Sequence, residues 1–327
     1  MAEKISWGII GCGDVTEVKS GPAFNRVPQS RLYAVMRRNG AKAADYAARH
    51  GVPKWYDDAA ALISDPEVNA VYIATPPSSH AAYTLQALAA GKPVYVEKPM
   101  ALDAGTAQLM ATAAQEAGLP LCVAHYRRAQ PLFQKIKSLL EEDAIGRPRN
   151  VRLELFEPAG AGLVARTEQP WRLDPAISGG GLFYDLAPHA LDLLLYFFGT
   201  PVSATGASWN AAGQYAADDT TAGIIRFEGN VLFEGSWCFA HTLKRDVCTI
   251  YGSEGSLRFS VFENRPVLLD REGTQAEYRF EPLAHVQEPM IAAVTQHFLG
   301  LGPNPSPAQN GVAVQELMES FTRKAGR

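Results

Sequence analysis

The chain has 327 residues, 47% of them hydrophobic and 20% charged, enough for two globular domains with separate cores. Its net charge of −4 gives no electrostatic reason to bind nucleic acid or an anionic membrane surface. No apolar run approaches the roughly 20 residues that a membrane-spanning helix needs. Cys12, Cys122, Cys238 and Cys248 are scattered, without paired metal-ligand spacing. Met1–Lys4 leads straight into a strand without a signal-peptide pattern, so the expectation is a cytoplasmic protein with reduced thiols and no metal.

The first third alternates short β-branched runs with helical patterns, the signature of a parallel sheet. Ile5–Ile10 reads as a strand and Thr16–Phe24 as a helix, with Gly8, Gly11 and Gly13 at their junction. Gly11 permits a tight turn, and Gly13 lets the backbone approach a pyrophosphate at the amide end of the helix. Cys12, Asp14, Val15 and Thr16 complete the stretch expected to line that cofactor. Thr16 stands where the third fingerprint glycine would be, and its hydroxyl is a candidate phosphate donor; a plain structural turn is the alternative.

Arg31–Met36 is the second strand, and it runs out through Arg37, Arg38 and Asn39 with no carboxylate for a ribose 2′-hydroxyl. Two guanidiniums there suit a 2′-phosphate, so NADP(H) is the expected cofactor and NAD the alternative. A solvated basic turn is the bland reading. Ala41–His50, closed by Gly51, and Asp58–Ile63 are helices, and Ala70–Thr75 is a strand. Thr75, Pro76 and Pro77 then run beside the nicotinamide ribose, and a helix covers Ser79–Ala90. His80 either touches the cofactor or packs at the start of that helix.

Pro93–Glu97 is a strand that leaves Lys98 at its carboxyl end, where ligands bind in parallel α/β sheets. A lysine there either caps a carbonyl or has a task. Glu97 anchors Lys98 or packs at the cofactor, and Pro99 is a candidate for a cis peptide bond. Asp103 caps a helix to Ala117, and Leu121–Ala124 is the next strand. These elements predict a doubly wound Rossmann domain over 1–124 and a second domain over 125–327, with the C-terminal helix able to pack back on the first.

In the second domain, Pro131–Glu142 is helical and Arg149–Glu157 is a half-exposed strand. Pro158–Pro175, rich in Ala, Gly and Pro, reads as a mobile loop over a cleft. Trp171 and Arg172 at its end either close over the substrate or anchor the loop. Gly179, Gly180 and Gly181 allow close approach to a ligand ahead of a buried apolar helix running to about Phe198. Asp185 and His189 lie four apart on one face of it, either lining a wet site or forming a satisfied internal pair. Asp192 serves structure, and Pro188 implies a helix start near Asp185 or a kink.

From Val202 to Phe280 the pattern is all strands: Thr220–Phe227, Val231–Ala240, Asp246–Tyr251, Ser256–Ser260 and Pro266–Leu269. Turns at 228–230 and 252–255 suit hairpins in an open, mostly antiparallel sheet. Val231, Phe233 and Trp237 on one face and Leu232 and Cys238 on the other leave both faces partly apolar. A second copy is the simplest cover, so a homodimer or higher homo-oligomer is expected. Glu288–Leu299 and Gln309–Lys324 are closing helices.

Gly8–Gly13, Thr75-Pro76 with His80, Glu97-Lys98-Pro99 and Gly179–His189 together resemble the glucose–fructose oxidoreductase / inositol dehydrogenase / MocA family over nearly the whole chain. The resemblance implies a dinucleotide fold followed by an α/β domain with an open sheet. It also implies oxidation or reduction of a sugar or polyol carbon with NAD or NADP, with Lys98 and His189 catalytic and Asp185 preceding His189 on the same helix. Where many relatives read Gly-Phe-Asn-Arg-Arg, this chain reads Ala124-His125-Tyr126-Arg127-Arg128, so Tyr126 offers the substrate a phenol in place of an amide. The arginines after the second strand depart from the acidic NAD pattern.

An imidazole titrates near neutrality, which suits His189 to exchange the hydroxyl proton. Lys98 stabilises alkoxide charge or donates the proton itself, and Asp185 orients substrate hydroxyls. Which of Lys98 and His189 transfers the proton stays open. The alternatives are a redox-type glycosidase that returns its cofactor and a non-catalytic, cofactor-bound sensor. A dihydrodiol or simple carbonyl substrate would suit Tyr126 and Trp171.

Overall fold

The computed structural model describes residues 3–158 and 171–323. Fourteen strands and ten α-helices follow one another along these residues. The first are β1 (Ile5–Ile10), α1 (Asp14–Val18), β2 (Ser30–Met36), α2 (Gly40–His50), β3 (Lys54–Tyr56), α3 (Ala59–Ser64), β4 (Ala70–Ile73), α4 (His80–Ala89), β5 (Val94–Val96), α5 (Ala104–Ala117) and β6 (Leu121–Val123). Next come α6 (Pro131–Glu141), β7 (Pro148–Phe156), α7 (Pro175–Ser178), α8 (Gly181–Phe198), β8 (Pro201–Trp209), β9 (Thr220–Phe227) and β10 (Leu232–Cys238). The chain closes with β11 (Arg245–Gly252), β12 (Gly255–Phe259), β13 (Val267–Arg271), β14 (Thr274–Tyr278), α9 (Glu288–Phe298) and α10 (Ala308–Thr322). They form two compact units, Met1–Ala129 with Leu283–Gln315, and Gln130–Pro282 with Glu316–Arg327.

In the first unit six parallel strands stand in the order β3-β2-β1-β4-β5-β6, a doubly wound sheet. Every residue of β1, β4 and β5 is buried, because helices cover both faces and the strands are mostly apolar. One face packs Trp7, Phe24, Tyr72 and Tyr95 against Met290, Ile291 and Val294 of α9. The other packs Ile10, Val71 and Val96 against Leu62, Leu88 and Met110. Asn39, Asp58 and Asp103 cap α2, α3 and α5 by accepting backbone N–H bonds, and Gly51 and Gly118 close α2 and α5 in the left-handed conformation.

Two details differ from the sequence reading. The helix expected over Thr16–Phe24 is broken into α1 and a 3-10 turn at Gly21–Asn25. Pro22 has no N–H to continue a helix, and a Cβ at Gly21 would lie 2.0 Å from Tyr46 Oη and 2.3 Å from Thr16 O. The edge strand β3 has only three residues, none of them buried, so it left no hydrophobic pattern to read.

In the second unit eight strands run β14-β13-β12-β11-β7-β10-β9-β8, antiparallel except for the β7–β10 pair. Leu153, Ile225, Phe233 and Trp237 form a buried face, and Phe183, Leu194 and Phe197 of α8 belong to the same core. The Phe321 ring of α10 lies so close to Gly223 that a Cβ there would come within 2.4 Å of it. On the opposite face Ile224 and Leu232 are exposed. The α8 helix starts at Gly181 and continues through Pro188, which corrects the first of the two expectations, a start near Asp185. Burial on nearly every side carries the helix through a residue that removes one backbone donor.

Candidate active site

Strand order reverses between β1 and β4, so a crevice opens at their carboxyl ends. The glycine loop sits there. Gly11 has φ +95°, and a Cβ on it would lie 2.7 Å from Thr75 Cγ2, so only glycine brings the loop this close to the end of β4. Among the described residues, the only atom within 4 Å of a Cβ added at Gly13 is Gly11 O, at 3.9 Å. That open approach to backbone is what a pyrophosphate requires, and the loop therefore fits a dinucleotide. The amides of Gly11 and Cys12 donate to Met36 O and that of Gly13 to Gly11 O, so an anion here would turn to the amides of Asp14 and Val15 at the start of the five-residue α1.

Thr16 is buried, and its hydroxyl donates to Gly13 O at 2.7 Å. It closes the turn and is not directed toward a phosphate. Burial pushes the Cys12 thiol up to about 11, so it remains protonated and has no nucleophilic role. Glu17 is held down at about 2 by Arg49, with help from His50, and Arg49 reaches both of its oxygens at 2.8 Å. Beyond the end of β2, Arg37 is half-buried and Arg38 is exposed.

Ser79 Oγ donates to Thr75 Oγ1 at 2.8 Å and braces the Thr75–Pro77 turn. His80 is wholly buried, its Nδ1 3.0 Å from Pro99 O and its Nε2 2.8 Å from Thr75 O. Of its two sequence readings, packing fits this geometry: the ring sits between the end of β4 and the residue after Lys98 and can donate to one of these two carbonyls. Burial pushes the imidazole below its ordinary value, so the ring is neutral and has one N–H to give. Lys98 follows the carboxyl end of β5, half-buried, and the Lys98–Pro99 peptide bond is cis, as anticipated. Tyr126 is 5% exposed within the core around Trp7, with the Arg127 guanidinium 5.6 Å from its ring centre.

The second unit carries the other candidates. Asp185 and His189 both lie on α8, with His189 buried and Asp185 half-buried. Arg172 donates from Nε to Asp185 Oδ2 at 3.2 Å, and its guanidinium lies 4.3 Å from the Trp171 ring centre. The structure thus joins three expected substrate residues into one cluster. The Phe262 ring stands edge-on to His189, with centroids 5.4 Å apart. Phe262 is itself fixed by Asp246, whose buried carboxylate accepts the N–H groups of Val261, Phe262 and Glu263. Gly180 and Gly181 serve their own chain rather than a ligand. A Cβ on Gly180 would lie 2.2 Å from the Tyr184 ring, and one on Gly181 would lie 2.4 Å from Ala217 Cβ. Most of the loop expected over Pro158–Pro175 lies outside the described residues.

The sequence reading passed over Tyr72, Gln287 and Asp246. Two of them left a faint signal, a tyrosine in a fully buried strand and an aspartate near the start of one, and Gln287 left none.

Comparison with known proteins agrees with this construction. Residues 5–125 match the family described as "Oxidoreductase family, NAD-binding Rossmann fold", and residues 133–258 match the GFO/IDH/MocA C-terminal domain. The chain is 42% identical over 321 residues to oxidoreductase P35 of Formosa agariphila, covering 98% of this chain and 99% of that protein. It is 29% identical to the 1,5-anhydro-D-fructose reductase of Ensifer adhaerens, over 94% of this chain and 92% of the reductase. Among solved structures, the aldose-aldose oxidoreductase of Caulobacter crescentus, complexed with glycerol, superposes with a TM-score of 0.85 at 22% identity, covering 97% of this chain and 96% of that one. A glycine loop open to a pyrophosphate, a Lys98 after β5 and family matches across both units place this chain in the GFO/IDH/MocA family of oxidoreductases with an NAD-binding Rossmann fold.

Proposed function

We propose that the protein is an NADP(H)-dependent dehydrogenase or reductase that moves a hydride between nicotinamide and the carbinol carbon of a sugar, polyol or related diol. The observation that carries the cofactor preference is the end of β2, where Arg37 and Arg38 stand and the stretch 35–39 holds no carboxylate. The likeness to a 1,5-anhydro-D-fructose reductase supports a carbohydrate substrate.

The loop Gly11–Val15 would line the pyrophosphate, Arg37 and Arg38 would hold the 2′-phosphate and Thr75–Pro77 the ribose, whereas Gly8, expected at the cofactor, is buried within β1 and makes room for Leu62 and Val68. Nicotinamide, when bound, supplies the hydride chemistry. In the oxidative direction the substrate carbon loses a hydride and its hydroxyl loses a proton, and the carbinol becomes a carbonyl. His189 takes up that proton, since imidazole exchanges protons near neutrality. The Lys98 ammonium stabilises the negative charge that develops on the oxygen. Asp185, held by Arg172, orients the neighbouring hydroxyls, and Trp171 offers a ring face to the substrate.

A homodimer joined through the outer face of the large sheet, where Ile224 and Leu232 are exposed, completes the proposal. A strict monomer in light scattering at micromolar concentration would count against it. The free thiols of Cys12, Cys122, Cys238 and Cys248 suit a cytoplasmic location. The function is tested by screening sugars, polyols and diols with NADP and NAD and following the reduced-nicotinamide absorbance. Turnover favouring NADP is expected; NAD(H) bound as tightly as NADP(H) would overturn the cofactor assignment.

A further inference from the structure

Glu97, immediately before Lys98, is 7% exposed, and its carboxylate is held from three directions. Tyr72 Oη and Gln287 Nε2 each donate to Oε1 at 2.6 Å, and the backbone N–H of Lys98 donates to Oε2 at 3.2 Å. Behind these donors stands a second tier. Tyr95 Oη donates to Gln287 Oε1 at 2.9 Å, and Ser20 Oγ lies 3.2 Å from Tyr72 Oη. The single phenolic proton of Tyr72 goes to the carboxylate, which leaves the Ser20 hydroxyl to donate to the phenol oxygen. Gln287 has one possible orientation, because a flipped amide would set its carbonyl against the carboxylate. Burial, reinforced by the Glu97 charge, pushes both phenols well above their ordinary value, so they remain donors.

Gln287 is fixed in turn. Its N–H donates to Lys19 O at 3.2 Å, and it caps the start of α9. The network therefore joins β4, β5, the end of α1 and the start of α9, all within the first unit.

Packing gives no reason for this arrangement. A buried carboxylate held by neutral donors is expensive to desolvate, and an apolar side chain of the same size would fill the space more cheaply. What the carboxylate supplies is a fixed peptide plane at residues 97–98 and a negative charge next to a lysine. We infer that Gln287 and Tyr72 are positioning residues of the hydride-transfer reaction: they clamp Glu97, and Glu97 aims Lys98. The inference rests on the assignment of Lys98 made above.

The test uses the full chain with bound cofactor and three variants. Gln287→Met keeps length and removes both polar contacts, Tyr72→Phe removes one hydroxyl from a packed ring, and Lys98→Met is the control. In each of the first two, kcat falls by about ten- to a hundredfold, the rate equivalent of one hydrogen bond to a charged group. KM and the cofactor Kd change by less than about twofold, because binding contacts are untouched. If Gln287→Met does not fold, Tyr72→Phe decides.

A lowered melting temperature with wild-type kcat would reduce the network to structure and overturn the inference. Should Lys98→Met be inactive while Tyr72→Phe turns over normally, only the positioning claim fails. If Lys98→Met keeps full turnover, the Lys98 assignment and the inference fall together.

Discussion

Arg172 Nε donates to Asp185 Oδ2 at 3.2 Å with the two side chains only 9% and 13% exposed, which makes this pair the anchor of the segment that precedes the glycine triplet. Removing the guanidinium takes a close cationic partner from a largely buried carboxylate. Arg172→Leu should lower stability by about 1–3 kcal/mol, the usual cost of losing one hydrogen bond to a charged group. Urea unfolding followed by tryptophan fluorescence measures it. An unchanged midpoint would mean that water already satisfies Asp185.

Cofactor choice is tested at the end of β2. Arg37→Ala and Arg38→Ala should each weaken NADP(H) binding by about tenfold, the value of one charge-assisted contact to phosphate, and leave NAD(H) within about twofold. Calorimetric titration of both cofactors distinguishes this from a general loss of binding. Equal weakening of both would show that the arginines hold the loop and not the 2′-phosphate.

Acid stability follows from Glu17. Its pKa lies at about 2 against 4.5 for an unperturbed glutamate, so the folded state binds the proton less readily than the unfolded chain. Its contribution is therefore complete above 4.5 and disappears as pH falls toward about 2. Glu17→Gln should flatten the dependence of the urea midpoint on pH across that window. A mutant curve parallel to wild type would show that Arg49 and His50 do not stabilise the charged form.

The glycine triplet gives a prediction about stability. Gly181 has φ +76°, and an added Cβ would sit 2.4 Å from Ala217 Cβ, so Gly181→Ala meets both backbone strain and a clash. A loss of about 2 kcal/mol or more is expected in thermal unfolding. Gly180→Ala, whose Cβ would strike the Tyr184 ring at 2.2 Å, should behave likewise. Wild-type melting in both would contradict the internal-packing role.

Much of the first unit was legible in sequence for a plain reason. A strand covered on both faces is nearly continuously apolar, as Ile5–Ile10 is apart from Ser6, and the glycine loop and Lys98 stand at the ends of such strands. Less legible were features made by folding at long range. Gln287 reaches Glu97 across 190 residues of sequence, and no local pattern announces that contact. Pro188 misled because tertiary burial of α8 outweighs the helix-breaking tendency of one residue. The glycine triplet was assigned to a ligand because sequence cannot tell a close approach to substrate from one to Tyr184 or Ala217.

The central claim is that Lys98 serves the chemical step. Single-turnover stopped-flow of wild type and Lys98→Met, each saturated with NADP and a substrate found by the screen, tests it most directly. The account predicts that Lys98→Met loses hydride transfer by about 10²- to 10⁴-fold, the range expected for a proton-handling or charge-stabilising group, while its NADP Kd is unchanged. A single-turnover rate equal to wild type would contradict it.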